Sequence, residues 1–296
     1  MSITAPIRNR IEMLKKEYES LKKGKDSLLT MIDEAEIPES VYNSNAIENS
    51  TLTLKETERI LLEMEVARNV SLREVFEAKN LARISGYIRN KSELKLDKPL
   101  ILMLHQMLLG GINDDFAGRF RKQFEYVRVG TYIAPPPEHV ERMIESLLEN
   151  YSGDFSSYFL DKISKYHLEF ERIHPFNDGN GRMGRLIINV QLLTLGFPQL
   201  IIRNKEKKDY YEAFHQYDDN KNTKPMEKII SMALIESLHK RITYLKGENI
   251  ITLSDYARKN NKSSPALLNA AKRQNIPAFR EKEVWKIGEN FIRTSR

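Results

Sequence analysis

Twelve residues constrain this chain more than the rest together: His174 to Arg185, HPFNDGNGRMGR, combine an imidazole, a carboxylate, three glycines and two arginines. Upstream, Phe159, Ile163, Tyr166, Phe170 and Ile173 recur at spacings of four, three, four and three, which is one face of a helix running into the stretch. Downstream, Leu186 to Leu195 is almost wholly apolar and is followed by Gly196 and Pro198, which reads as a buried helix and its stop. The spacing therefore predicts a loop that opens a helix. The first N–H groups of such a helix lack intrahelical partners and its dipole adds partial positive charge, which makes a phosphate site. Glycines let the backbone close on the anion.

Gly179, Gly181 and Gly184 spell G-x-G-x-x-G, but the dinucleotide fingerprint requires a preceding strand and an acid about twenty residues further on. Here a helix precedes, and the segment around Ile201 to Lys205 offers Arg203 and no acid until Glu206. The stretch instead resembles the signature of the Fic family, H-x-F-x-[DE]-G-N-G-R-x-x-R, with every specified position met. The resemblance extends over residues 40 to 235. It implies a mainly α fold, a Fic-type helical core with a β-hairpin flap, and transfer of the AMP moiety of ATP, with magnesium, to a hydroxyl side chain of a target protein.

Attack of a hydroxyl on phosphorus needs a base, neutralisation of phosphate charge and an in-line geometry. His174 is the only ring nitrogen of the motif and would be the base; a satisfied core histidine is the alternative. Asp178 is a hard oxygen ligand suited to Mg2+. Asn180 and the Gly179 and Gly181 amides would form the anion cradle, with Arg182 and Arg185 on the outer phosphates. Met183 and Gly184 belong to the same ATP-binding stretch. Pro175 and Phe176 read as packing.

With 296 residues, 41% hydrophobic and 30% charged, the chain can bury a real core in one large or two modest domains. It holds no run of eighteen apolar residues, so no membrane span is expected, and its N-terminus lacks the apolar stretch of a secretory signal, which points to the cytoplasm. The absence of cysteine excludes disulfides, thiolate metal sites and cysteine nucleophiles. Three parts are expected: an N-terminal helical region over residues 1–95, a catalytic core over 96–240 and a small domain over 250–296.

Residues 7 to 33 carry Ile7, Ile11, Leu14, Tyr18 and Leu21 at helical spacing, an amphipathic helix that would pack on the core or face a second copy, with Pro38 breaking it. The string SNAIEN that follows resembles the inhibitory motif of Fic proteins, [ST]-x-x-x-E-[GN], met at Ser44, Glu48 and Asn49 in a helix of about residues 43–50. A carboxylate at Glu48 could pair with Arg185, the cation otherwise free for the terminal phosphate. The bland alternative is a surface pair with another arginine.

Residues 55 to 96 read as continuing helix, with Leu61, Leu62, Met64, Val75, Phe76, Leu81 and Ile84 as core. PLILMLHQMLL, from Pro99, is a buried helix closed by Gly110 and Gly111, in which His105 reads as structural. Phe116 to Pro137 is aromatic and β-branched and reads as a short hairpin. In Fic proteins such a flap lies over the active site and aligns the target segment, and Val129, Gly130, Thr131 and Tyr132 match its nucleotide-facing part. Tyr210 either borders the adenine base, as the resemblance implies, or packs in the core. Asp218 stands where many relatives carry asparagine or another polar residue facing the nucleoside, so the resemblance implies an ATP contact there with ribose and base contacts that depart from the family pattern.

From Thr252 the pattern is helix, turn, second helix from Pro265 to Gln274, and a hairpin around Glu281. The layout resembles winged helix-turn-helix modules. Residues 241–296 hold 12 Lys and Arg against 5 Asp and Glu, which leaves 35 against 36 before them, so the excess positive charge lies in this tail. DNA binding through Lys262, Lys272 and Arg273, or protein docking, would use it. The leading expectation is AMP transfer from ATP to a protein hydroxyl, including the chain's own, restrained in cis by Glu48. Its rivals are removal of AMP at the same site and a DNA-binding regulator that uses the core as a nucleotide sensor.

Overall fold

The computed structural model describes residues 4–66, 69–91, 94–130 and 132–292. Its helices are α1 (Ala5–Leu21), α2 (Asp26–Ile47), α3 (Leu54–Glu58) running into a π-helical turn (Arg59–Glu63), α4 (Leu72–Asn90) and α5 (Lys98–Leu109). After a hairpin of β1 (Arg128–Val129) and β2 (Tyr132–Ile133) come α6 (Pro137–Gly153), α7 (Phe159–Ile173), α8 (Asn180–Thr194), α9 (Lys207–Asn220) and α10 (Lys224–Leu245). The chain closes with β3 (Ile250–Thr252), α11 (Leu253–Lys259), α12 (Ser264–Lys272), β4 (Phe279–Glu281) and β5 (Val284–Gly288). β5 pairs antiparallel with both β3 and β4. No helix among the described residues is long and apolar enough to cross a membrane.

The helices on either side of the glycine-rich loop are set between two cores. α8 puts Met183, Leu186, Ile187 and Val190 into one, with Leu104 and Leu108 of α5 and Phe170 of α7. Its opposite face puts Ile188 and Leu192 into the other, with Ile163 and Leu168 of α7 and Ile230, Leu234 and Leu238 of α10. Burial on both faces is why the sequence of α8 is so nearly all apolar. The C-terminal elements have a third core, around Leu253, Tyr256, Leu267, Ala271 and Ile287. They are fastened to the rest by buried polar links. Arg280 Nη2 binds Glu236 Oε2 at 2.6 Å, Arg203 pairs with both Glu236 and Glu39, and His239 Nδ1 donates to Gln274 Oε1 at 2.8 Å.

Four sequence expectations are corrected. The first helix ends at Leu21 and the chain turns at Gly24, whose φ of +72° suits glycine, while Pro38 lies inside α2. A proline there costs about 3 kcal/mol, which burial of Val41 and Ile47 on the same helix offsets. Residues 55 to 96 are two helices with a break at Met64, whose φ is +58°, and α4 starts afresh from an N-cap at Ser71. The π turn adds a residue to its turn and rotates the apolar stripe outward. Leu62 and Met64 are therefore 69% and 67% exposed instead of core; on α4 Phe76 is 43% exposed, whereas Val75, Leu81 and Ile84 are buried. The strands of the hairpin are only two residues each, and Phe124 and Tyr126 before it are exposed. α12 is capped by Ser263, one residue earlier than the sequence suggests, and ends at Lys272.

Candidate active site

α7 stops at His174, whose left-handed backbone (φ +50°) turns the chain out of the helix while its N–H still donates to Phe170 O. Its Nδ1 donates to Glu171 O at 3.2 Å, which leaves Nε2 as the ring's lone-pair nitrogen. Burial pushes the His174 pKa down to about 4. The imidazole is neutral at physiological pH and able to accept a proton.

Three buried side chains hold the loop. Asn180 closes it on itself, donating to Phe176 O and accepting from Phe176 N–H at 2.8 and 2.9 Å. His105 stacks on Phe176 with ring centres 3.6 Å apart, accepts at Nδ1 from Gly118 N–H and donates from Nε2 to Asp178 O at 3.0 Å. Arg121 spans from loop to flap, donating to His174 O at 2.8 Å and Pro135 O at 2.8 Å. His105 is thus structural, as its apolar setting suggested. Arg121 had no sequence signal: one arginine of the run Arg119, Arg121, Lys122 before a hairpin does not announce which carbonyls it will reach.

Gly179 caps α8 at φ +81°. A Cβ at Gly181 would overlap Glu48 Oε1, and one at Gly184 would overlap Glu171 Oε1 and crowd His167. Only the first two glycines face the cleft. It has a volume of about 440 Å³, and its walls include Glu48, Arg73, Glu77, Arg128, His174 and Asp178, with the backbone of Gly179 to Arg182. The first residues of α8, Asn180 to Arg182, line it.

Glu48 enters from the end of α2, where it is the C-cap and Asn49 takes φ +68°. Glu48 Oε1 lies 2.9 Å from Arg185 Nη2, and Arg185 also donates to Ser44 Oγ (3.0 Å) and Ser44 O (2.8 Å). Arg185 is only 6% exposed, so its charge is committed to this set. Asn49 Oδ1 accepts from Lys207 Nζ at 2.7 Å, which pins the turn. Nearby, burial and then the charge of Glu48 push the Glu171 carboxyl up to about 8.

Other expected site residues take different places. The Asn180 side chain is spent on Phe176, and Arg182 is buried against Glu77 (3.0 Å) and Asp178 (3.1 Å) and not held out to phosphates. Met183 is fully buried in the first core, and Gly184 packs on α7. Tyr210 is 1% exposed, sharing a 2.7 Å hydrogen bond with His167 Nε2, so core packing prevails over a stacking platform. Val129 and Gly130 sit exposed at the hairpin tip, Tyr132 donates to Arg172 O, and it is Val127 and Arg128 that line the cleft. Thr131 lies outside the described residues. Asp218 is exposed on α9, 3.8 Å from Arg172. Lys262 in the turn before α12, Lys272 at its end and the C-cap Arg273 are all exposed. Burial would raise the Asp178 carboxyl, but Arg182 and Arg73 hold it below the ordinary range.

Residues 95–192 match the Fic/DOC family, and the chain carries a Fic/DOC domain. The protein adenylyltransferase Fic of Nematostella vectensis is 33% identical over 193 residues, 60% of this chain and 42% of that protein, so the chain spans less than half the length of this curated relative. The crystal structure of a Fic domain containing signaling protein from Bacteroides thetaiotaomicron superposes with a TM-score of 0.73 at 27% identity, over 81% of this chain and 98% of that one. A Fic family protein from Desulfovibrio desulfuricans, 20% identical, shares the fold over 99% of both chains with a TM-score of 0.65, C-terminal elements included.

Proposed function

We propose that this chain is a protein adenylyltransferase, moving AMP from ATP to the hydroxyl of a protein side chain, and that Glu48 restrains it. The carrying observation is the Glu48–Arg185 pair beside a neutral His174 at the open N-terminus of α8. Relatives named protein adenylyltransferase support the reading. His174 Nε2 would take the hydroxyl proton as the oxygen bonds to the α-phosphorus, the bond from that phosphorus to the bridging oxygen breaks, and pyrophosphate leaves. The N–H groups of α8 would stabilise charge on the phosphates. Asp178 fits a magnesium ion as a hard carboxylate on the cleft wall, with phosphate oxygens and water completing the shell. Such an ion would neutralise phosphate charge. Arg185, once free of Glu48, would bind the outer phosphates and hold the α-phosphorus in line.

The test is transfer of labelled AMP by the purified chain to itself and to lysate proteins. Glu48→Gly should raise transfer about ten- to a hundredfold, the worth of a charge-assisted bond of about 1.5 to 3 kcal/mol. Glu48→Gly with Arg185→Ala should lose the gain. A slower Glu48→Gly enzyme would favour removal of AMP, with Glu48 as an activating base.

A second reading concerns the C-terminal elements, where the end of α12 presents Lys272 and its C-cap Arg273 to solvent, with Lys262 in the turn before the helix. These cations suit nucleic-acid phosphates, and the helix-turn-helix order suits a groove. Replacing all three by glutamine should abolish salt-sensitive duplex retention while AMP transfer persists. Retention that is unchanged, or indifferent to salt, would rule against it.

A further inference from the structure

Both oxygens of Asp178 are already held by guanidinium groups. Oδ1 lies 3.1 Å from Arg182 Nη2, and Oδ2 is bonded by Arg73 Nη2. The two arginines differ in freedom. Arg182 is buried and also bound to Glu77, whereas the Arg73 side chain is 56% exposed and reaches Asp178 from the first turn of α4, 105 residues away in the chain.

That first turn is itself fixed from two sides. Ser71 caps it through the Glu74 N–H, and Glu74 Oε1 accepts from Thr51 N–H (2.6 Å), Thr51 Oγ1 (2.9 Å) and Ser50 Oγ (3.0 Å). Arg73 Nε is held by Glu77 Oε1 at 3.0 Å, so its outer nitrogen is aimed at the carboxylate and not swept freely through solvent. A carboxylate oxygen that accepts from a guanidinium cannot offer that lone pair to a metal ion, and two like charges cannot share one anion without repulsion.

We infer that Arg73 is a tethered cation at the metal carboxylate, a positioning residue that competes with the divalent ion for Asp178 and must swing away for the ion to bind. The exposed arm leaves at little cost, because Glu77 keeps its Nε and water takes its other donors. The buried Arg182 stays and keeps the carboxylate aligned. Arg73 therefore sets how much divalent ion is needed, independently of what Glu48 does at Arg185.

The inference rests on the reading of Asp178 as the metal ligand. It is tested by electron paramagnetic resonance of free Mn2+, titrated into the full chain with α,β-methylene-ATP present, so that no turnover enters the readout. Arg73→Gln should tighten Mn2+ binding about three- to tenfold, the size expected for removing one like charge from a partly solvated site. The gain should vanish when Asp178→Asn is added. Structural damage would weaken binding, so a gain cannot be mimicked by misfolding. If Arg73→Gln binds Mn2+ no more tightly than the wild type while Asp178→Asn still abolishes binding, the role of Arg73 is wrong and that of Asp178 stands. Mn2+ binding that ignores Asp178→Asn overturns both.

Discussion

His174 has an unusual assignment for a histidine near a cluster of charges: its pKa is pushed down to about 4, by burial first and by Arg121 among its neighbours. A base is competent only when unprotonated, so a lowered pKa moves the acid limb of its rate profile downward. AMP transfer by the Glu48→Gly variant is expected to hold level from pH 7 to near pH 5 and to fall only as pH approaches 4. A limb centred near 6.5, the ordinary histidine value, would sink this assignment. His174→Ala should cost about 10² to 10⁴ in rate while nucleotide binding persists. The residues that the motif spells were readable in the sequence, and so was a pairing of Glu48 with Arg185. Arg73 and Arg121 were not, because their partners come from 105 and 53 positions away and nothing local marks either residue. Tyr210 could be read either way until its burial was known.

At the scale of elements, α7 and α8 pack so closely at Gly184 that a methyl group there would strike Glu171 and the ring of His167. Gly184→Ala gains helix propensity but overpacks a buried crossing, at a cost of about 1 to 3 kcal/mol. A lower urea midpoint is expected, and an unchanged or raised one would mean that α7 yields. Unbroken apolar runs found α5 and α8, and periodicity found α7, which keeps one phase of apolar residues along its length. It failed between residues 55 and 71, where the π turn changes the phase and no residue type announces the change. It also put too much weight on Pro38, whose local preference is overridden by the buried contacts of α2.

Across the whole molecule, the C-terminal elements were legible as a separate sequence pattern, but their attachment was not. Arg280, Glu236, Arg203 and Glu39 come from four distant segments and meet out of water. Arg280→Ala would leave Glu236 with Arg203 alone, and losing these charge-assisted bonds from a still-paired carboxylate costs about 1.5 to 3 kcal/mol. Its urea midpoint should fall accordingly; one equal to wild type would make the attachment a surface contact. The two cores that grip α8 from opposite faces have a further consequence. A helix held on both sides resists displacement, so the proposed base and anion site would keep one geometry with Glu48 seated or withdrawn. On the proposed reading, control would then fall on how often ATP lies productively, through Glu48 and Arg73, and releasing it would raise the share of competent molecules without altering the chemistry that each performs.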